Sequence, residues 1–362
     1  MVYSKAYKIK KKSARFKINL LPGPVHIQDK VKKHFGRVPI SHRADNFINE
    51  LNHVKDMFRH ITLCKNVEIG LGSGTFANDL VAGQLSIINK PGLILSNGEF
   101  GTRLIDHAKR FNLTFESVKS SWGKEFNYKK IEQKILSGRI HWIWFVHHET
   151  STGMINDFSL LQKLAKKNNV LFCVDCISSI CAVPLDLSKA DFASGTSGKA
   201  IGSYPGLSFI FYRKAYTSKK ISVPRYLDLN IYRKNNGIPF TSSSNLLSAL
   251  SNALKYFIDD SNRFKKISMQ TKWMVDQLND IDIPVLVTGK YASPIITTVI
   301  LTKKVSSKLI GEHLKSLGYH VHYKSSYLQE NNWIQISSMS VYSKKHLKPM
   351  FDILKKAVKR KK

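Results

Sequence analysis

Four cysteines in 362 residues are too few to staple this chain with disulfides. Cys173 and Cys176 have Cys-x-x-Cys spacing, but no second Cys/His pair follows at zinc-finger distance. No metal is therefore expected, and all four thiols, with Cys64 and Cys181, read as reduced and buried. Long apolar runs are missing as well. None approaches the roughly 20 residues of a membrane-spanning helix, and no signal-peptide core precedes the first Pro-Gly. A soluble, cytoplasmic protein without a membrane partner is the expectation. Acidic residues are scarce: 25 Asp+Glu against 57 Lys+Arg leave a net charge of +32. Such an excess suits nucleic acid or an anionic membrane. Here it is spread along the whole chain, is mostly lysine and accompanies abundant Asn and Ile. A compositional bias accounts for that pattern, and no specific nucleic-acid partner is expected. The densest basic run is the start, MVYSKAYKIKKKSARFK, which lacks an apolar stripe and reads as a solvated arm.

The chain has 43% hydrophobic residues, enough for one large domain and a smaller one with its own core. Strand and helix patterns alternate. GLILSN, LTFESV, HWIWFVHH and VLFCVD are short apolar runs, separated by helical patterns at 102–111, 128–136 and after Asp157, a candidate N-cap. Apolar runs without period-2 alternation predict a mostly parallel sheet covered by helices on both faces, an α/β fold. GLSFIFYR follows Lys199, then an irregular stretch at 214–242 and a long helix from near Ser244. The last hundred residues alternate on a smaller scale, from DIPVLVTG and PIITTVIL to WIQISS. The predicted division is a basic arm at 1–20, a large domain at 21–242, and a bridging helix with a small α/β domain at 243–362.

Sheets of this kind collect ligands at the carboxyl ends of their strands, and polar residues cluster there. TSGKA, residues 196–200, places Lys199 in a turn of small residues between two apolar runs. GLGSGTFANDL holds Ser73, Gly74 and Thr75 before a helix-compatible run from Phe76. Free N–H groups at a helix start, hydroxyls and glycines make a phosphate cup, though they also make an ordinary tight connection. The stretch is neither a Walker loop nor a GxGxxG. Asp175 ends VLFCVD, where a carboxylate needs a cation or hydrogen-bond donors, or else caps the next segment. HHETST ends another strand with imidazoles and hydroxyls, and SNGEFG sets Phe100 between glycines, as packing or as a stacking surface.

One ligand answers all of these groups. Pyridoxal 5′-phosphate has a phosphate, a flat ring, a basic ring nitrogen for Asp175 and an aldehyde for Lys199. A lysine there forms a Schiff base, and a carboxylate at the ring nitrogen keeps the ring an electron sink. A purely structural lysine is the competing reading.

The sequence also resembles the class V group of fold-type I pyridoxal-phosphate-dependent aminotransferases. It is nearest to the 2-aminoethylphosphonate–pyruvate and alanine–glyoxylate or serine–glyoxylate branch. The resemblance is carried by LLPGPVHI, SHRADNF, GSGTFAND, SNGEFGTR, HHETSTGMIND, VDCISSICAVPLDL, SGTSGKAIGSYPGLSF and IPFTSSSNLLSAL, in the same order and spacing. It implies a PLP-dependent aminotransferase that moves an amino group from a small amine or amino acid to a keto acid via a Lys199 aldimine. By the same resemblance Asp175 pairs with the ring nitrogen, Phe100 stacks on the ring, and Ser73, Gly74 and Thr75 hold the phosphate. Thr150 faces the ring's 3′-oxygen, and Thr241 reaches the phosphate site of a neighbouring subunit, which implies a homodimer. One departure stands out. The family's substrate-binding arginine falls here on Gln335, or on Ile334, within NNWIQISSMS. A bidentate, permanently charged fork has become a neutral amide. Arg43, Lys324 and Arg225 are the candidates to replace its charge. Another PLP reaction on a non-standard substrate, such as a lyase or decarboxylase, and a binding protein without chemistry are the alternatives.

Overall fold

The computed structural model describes residues 18–220 and 223–359. At its centre is a seven-stranded sheet in the order Asn66–Gly72, Gly206–Tyr212, Phe192–Thr196, Leu171–Asp175, Trp142–Val146, Gly92–Ser96, Phe115–Lys119. Gly206–Tyr212 runs antiparallel to both of its neighbours and every other pairing is parallel. The apolar runs without alternation are explained by burial on both faces. Leu93, Leu95, Ile143, Phe145, Phe172 and Val174 join one core with the helices Asp45–Thr62, Tyr128–Leu136 and Phe158–Lys167. The residues between them, Ile94, Trp142, Trp144 and Cys173, join a second core with Gly74–Ile88 and Glu99–Arg110. Successive side chains in a strand point to opposite faces, so both faces must be apolar when helices cover each. This is the expected mostly parallel α/β sheet.

The helices start where the local chemistry directs. Asp157 accepts a hydrogen bond from the Leu160 N–H at 2.9 Å, and Asn127 accepts from the Lys130 N–H at 3.0 Å. Each satisfies an N–H that the helix leaves without a partner.

The smaller lobe has its own core around Val299, Ile310, Leu314, Ile334, Ile336 and Leu354. Its strands Ile296–Ile300 and Trp333–Ser337 pair antiparallel. Several boundaries differ from the sequence reading. Residues 1–17 of the expected arm lie outside the described residues, while Ile18–Asn19 pairs with Tyr319–His320 and Leu20 is fully buried. The last residues assigned to the arm are thus part of the small lobe. The bridging helix is two helices, Ser244–Asp259 and Arg263–Asn279, parted at Asp-Ser-Asn, residue types that favour helix ends over interiors. DIPVLVTG forms only an isolated bridge from Val285 to Val299. Pro284 has no N–H to continue a ladder, although its carbonyl accepts from Ile300 at 2.9 Å. The stretch 214–242 carries a short helix, Leu229–Lys234, that the sequence reading left irregular. Among the described residues, no helix is long and apolar enough to cross a membrane.

Candidate active site

All six mutually parallel strands end at one edge of the sheet, and the motifs follow directly from those ends. Gly74, Thr75, Phe100, Thr150, Asp175 and Lys199 line one cavity of about 140 Å³ there. Parallel topology alone brings together residues up to 125 positions apart, Gly74 to Lys199.

Lys199 lies in the turn after Phe192–Thr196, and its Nζ donates to the Pro22 carbonyl at 3.0 Å. Burial pushes its pKa down to about 8, against the opposing pull of Asp175, and the Arg103 charge pushes the same way as burial. The loop from Leu21 to Pro24 closes over it. A Cβ on Gly23, at φ +151°, would sit 2.9 Å from Nζ. The backbone conformation favours glycine there, and a larger residue would also push the lysine side chain aside.

Asp175 is buried, and burial raises its pKa. The Ile177 N–H donates to one oxygen at 2.9 Å, the local turn that the sequence left open as an alternative. Asn78 Nδ2 donates to the other at 2.8 Å, and Ser194 donates to Asn78 Oδ1 at 2.6 Å. The carboxylate is therefore aimed by a chain of donors rather than neutralised by a cation at contact distance. Asn78→Ala is expected to cost about 1–3 kcal/mol, because it strips a buried carboxylate of a donor. Urea denaturation measures it, and a loss below about 0.5 kcal/mol would show that Asp175 does not depend on Asn78.

Ser73 is the N-cap of Gly74–Ile88, and Gly74 and Thr75 form the first turn at the cavity wall. Unpaired N–H groups and the helix dipole favour an anion at that point. A Cβ on Gly74 would lie 2.6 Å from Ile177 Cδ1, so a larger residue would displace that side chain from the loop after Asp175. Phe100 opens the helix Glu99–Arg110. Arg103 and His107 follow on the same face, the guanidinium 5.0 Å from the Phe100 ring and the imidazole 2.6 Å from Asp79.

Some predicted residues lie elsewhere. Thr241 is exposed and lines a separate crevice with Phe240 and Tyr226, and Arg43 is exposed at the start of Asp45–Thr62. Gln335 is fully buried and does not line the cavity. Its amide donates to the Thr150 carbonyl at 2.6 Å, the Ser151 carbonyl at 2.9 Å and Thr298 Oγ1 at 2.9 Å. Lys324 is exposed and paired with Glu312, and Arg225 starts a short 3₁₀ turn away from the cavity. Sequence reasoning missed Asn78, Arg103 and His107, whereas His148 and Glu149 lie in the HHETST stretch that it had singled out. The spacing 100, 103, 107 marks one helix face, and Asn78 is a polar residue between the apolar Phe76, Ala77, Leu80 and Val81 of its helix. Those were the available signals.

The family described as Aminotransferase class-V matches the chain over residues 26–322. The chain belongs to the class V aminotransferase family. The "Soluble hydrogenase 42 kDa subunit" of Anabaena cylindrica is 30% identical over 298 residues, 77% of each chain. A "2-aminoethylphosphonate--pyruvate transaminase" of Bacillus cereus (strain G9842) is 28% identical over 246 residues, 64% of this chain and 67% of that one. In three dimensions the alanine–glyoxylate aminotransferase of Nostoc sp. superimposes with a TM-score of 0.82 at 23% identity, covering 98% of this chain and 97% of that one. The fold is accordingly that of the fold-type I aminotransferases, and the class V cofactor is pyridoxal 5′-phosphate.

The residues present suit that cofactor. His148 is buried in the cavity wall, and among the described residues neither ring nitrogen has a partner at good hydrogen-bond geometry, although the Ser178 backbone lies nearby. Burial and the adjacent His147 push its pKa down to about 3, so it is neutral. A buried carboxylate with no cation at contact distance among the described residues, a buried lysine with a lowered pKa and a glycine-walled helix start face one space. A class V cofactor has a cationic ring nitrogen, an aldehyde and a phosphate to match them.

Proposed function

We propose that this aminotransferase transfers an amino group from a small amine or amino acid to a keto acid, with Lys199 as the covalent anchor of its cofactor. The observation that carries the reading is the convergence of Lys199 Nζ and the Asp175 carboxylate on one cavity floored by a helix start. When bound, the cofactor supplies an electron sink for a carbanion on the substrate. The protein supplies the rest. Asp175 would hold its negative charge at the ring nitrogen, where a cation would offset the cost of burying an ionised carboxylate. Ser73, Gly74 and Thr75 receive the phosphate, Phe100 presents its ring face, and Thr150 sits at the side of the cavity expected to meet the 3′-oxygen. Once released by an incoming amine, Lys199 Nζ holds and returns the proton at the reacting carbon. A homodimer is part of this reading. Thr241 is exposed instead of turned to its own chain's cavity, as a contribution to a neighbouring subunit requires.

The test is a half-reaction screen. Candidate amines convert the bound pyridoxal form to the pyridoxamine form, keto acids reverse it, and both are read by absorbance. Absence of exchange with any pair, in protein that binds the cofactor, would overturn the reading in favour of a lyase or decarboxylase.

A pH dependence follows from the lysine. With a pKa of about 8, roughly a tenth of Lys199 is neutral at pH 7. Only the neutral amine is nucleophilic, so cofactor capture by cofactor-free protein should speed up roughly tenfold from pH 6 to 7 and level off above pH 8. Stopped-flow absorbance checks this. A rate still climbing between pH 9 and 10 would show an ordinary, solvated lysine.

A further inference from the structure

The segment Glu149–Gly153 touches both lobes. The Glu149 carboxylate is fully buried over the start of the helix Glu99–Arg110, where it accepts from the Gly101 N–H at 2.9 Å and the Phe100 N–H at 3.4 Å. It also accepts from the Ser151 N–H at 3.1 Å and hydroxyl at 2.5 Å, and Ser151 Oγ accepts from the Glu99 N–H at 3.0 Å. Gly98 leaves room for this, since a Cβ there would lie 2.5 Å from the Glu149 carboxyl carbon. On its other side the segment is held by the small lobe. Gln335 grips the Thr150 and Ser151 carbonyls, and the Gly153 carbonyl accepts from the Ser293 N–H at 2.9 Å. Gln335 is itself fixed by its backbone, which exchanges hydrogen bonds with His322 at 2.8 and 3.0 Å.

We propose that Gln335 is a positioning residue: through residues 149–151 it sets where the small lobe holds Thr150 and the Phe100 end of the helix at the cavity. The neutral amide supplies the donor that this position needs, although its Oε1 is buried without a hydrogen-bond partner among the described residues. Two backbone carbonyls and a hydroxyl need a donor, and the short amide stops at them without entering the cavity, which it does not line. A charged fork at that depth would have to displace them or bury its charge. Gln335 thereby acts on the site through Glu149 and Thr150 and makes no contact with substrate.

Gln335→Met keeps the volume and removes the donor. In cofactor-free protein it is expected to speed amide hydrogen exchange at Gly101 and Ser151 about tenfold or more, as is Glu149→Gln, with the double variant no worse than the stronger single one. In the loaded enzyme both should change the visible circular dichroism of the bound cofactor and lower kcat about tenfold or more, with KM for the amine within about twofold. Gln335→Asn, one methylene too short, carries the same expectations should the Met variant not fold. Unchanged exchange at Gly101 in a folded Gln335 variant overturns the proposal, as does a raised KM with kcat and dichroism intact. The catalytic readout rests on the cofactor assignment, whereas the exchange readout does not. Wild-type protein without a cofactor band would therefore sink that assignment and leave the exchange result to decide the coupling.

Discussion

Lys199→Met is expected to eliminate covalent cofactor attachment and to lower amino-group transfer on the order of 10⁴-fold, since it removes anchor and proton carrier together. Borohydride reduction of the wild type should fix the cofactor on the peptide containing Lys199, and the variant should yield no such adduct. Label on another lysine would refute the assignment. The same change should make the cofactor-free protein more stable below pH 8. The wild type must then bury an ammonium whose folded pKa is about 8 against a usual 10.5, a penalty on the order of 3 kcal/mol. Between pH 8 and 10.5 the unfolded chain binds the extra proton, so wild-type stability rises with pH and the variant's advantage disappears through that window. Urea denaturation at pH 7 and pH 10.5 checks the sign. An advantage that grows with pH would contradict a buried, proton-shedding lysine.

Asp175→Asn is the second large effect. The amide keeps the shape and its oxygen can still accept from the Ile177 N–H, but its NH2 meets the Asn78 amide only if that side chain flips, and it carries no charge. The ring nitrogen should lose its proton, and turnover should fall roughly 10²–10³-fold while the covalent adduct at Lys199 still forms. Separating adduct formation from turnover is the informative measurement. Near-normal turnover would reduce Asp175 to the turn it makes with Ile177.

The strands and most helices were legible because their signals are local. WIWFV and VLFCV are apolar at every position, which only a sheet covered on both faces tolerates, and Asp157 announces its helix with a capping carboxylate. Pro284 misled that reading: DIPVLVTG has the composition of a strand, but one missing N–H prevents the ladder. Lys199 and Asp175 were legible for a different reason. Each is a charge where the surrounding residues forbid exposure, and such a charge needs a function or a partner.

Gln335 shows where local reading ends. The sequence located the departure from the family's arginine, yet which way the amide points depends on Thr150, Ser151 and Thr298, residues 185, 184 and 37 positions away. Asn78 behind Asp175 and Glu149 beneath the Phe100 helix are of the same kind, polar residues whose partners are set by the crossover of parallel strands. Periodicity and composition by themselves determined the sheet, its two apolar faces, and the strand ends that carry charge, because these follow from the alternation of side chains along each segment. Only the tertiary structure decided which of those ends share a cavity, which donors aim the carboxylate, and which lobe holds the loop at residues 149–151. Those contacts join segments distant in sequence, and nothing in a single segment encodes its partner.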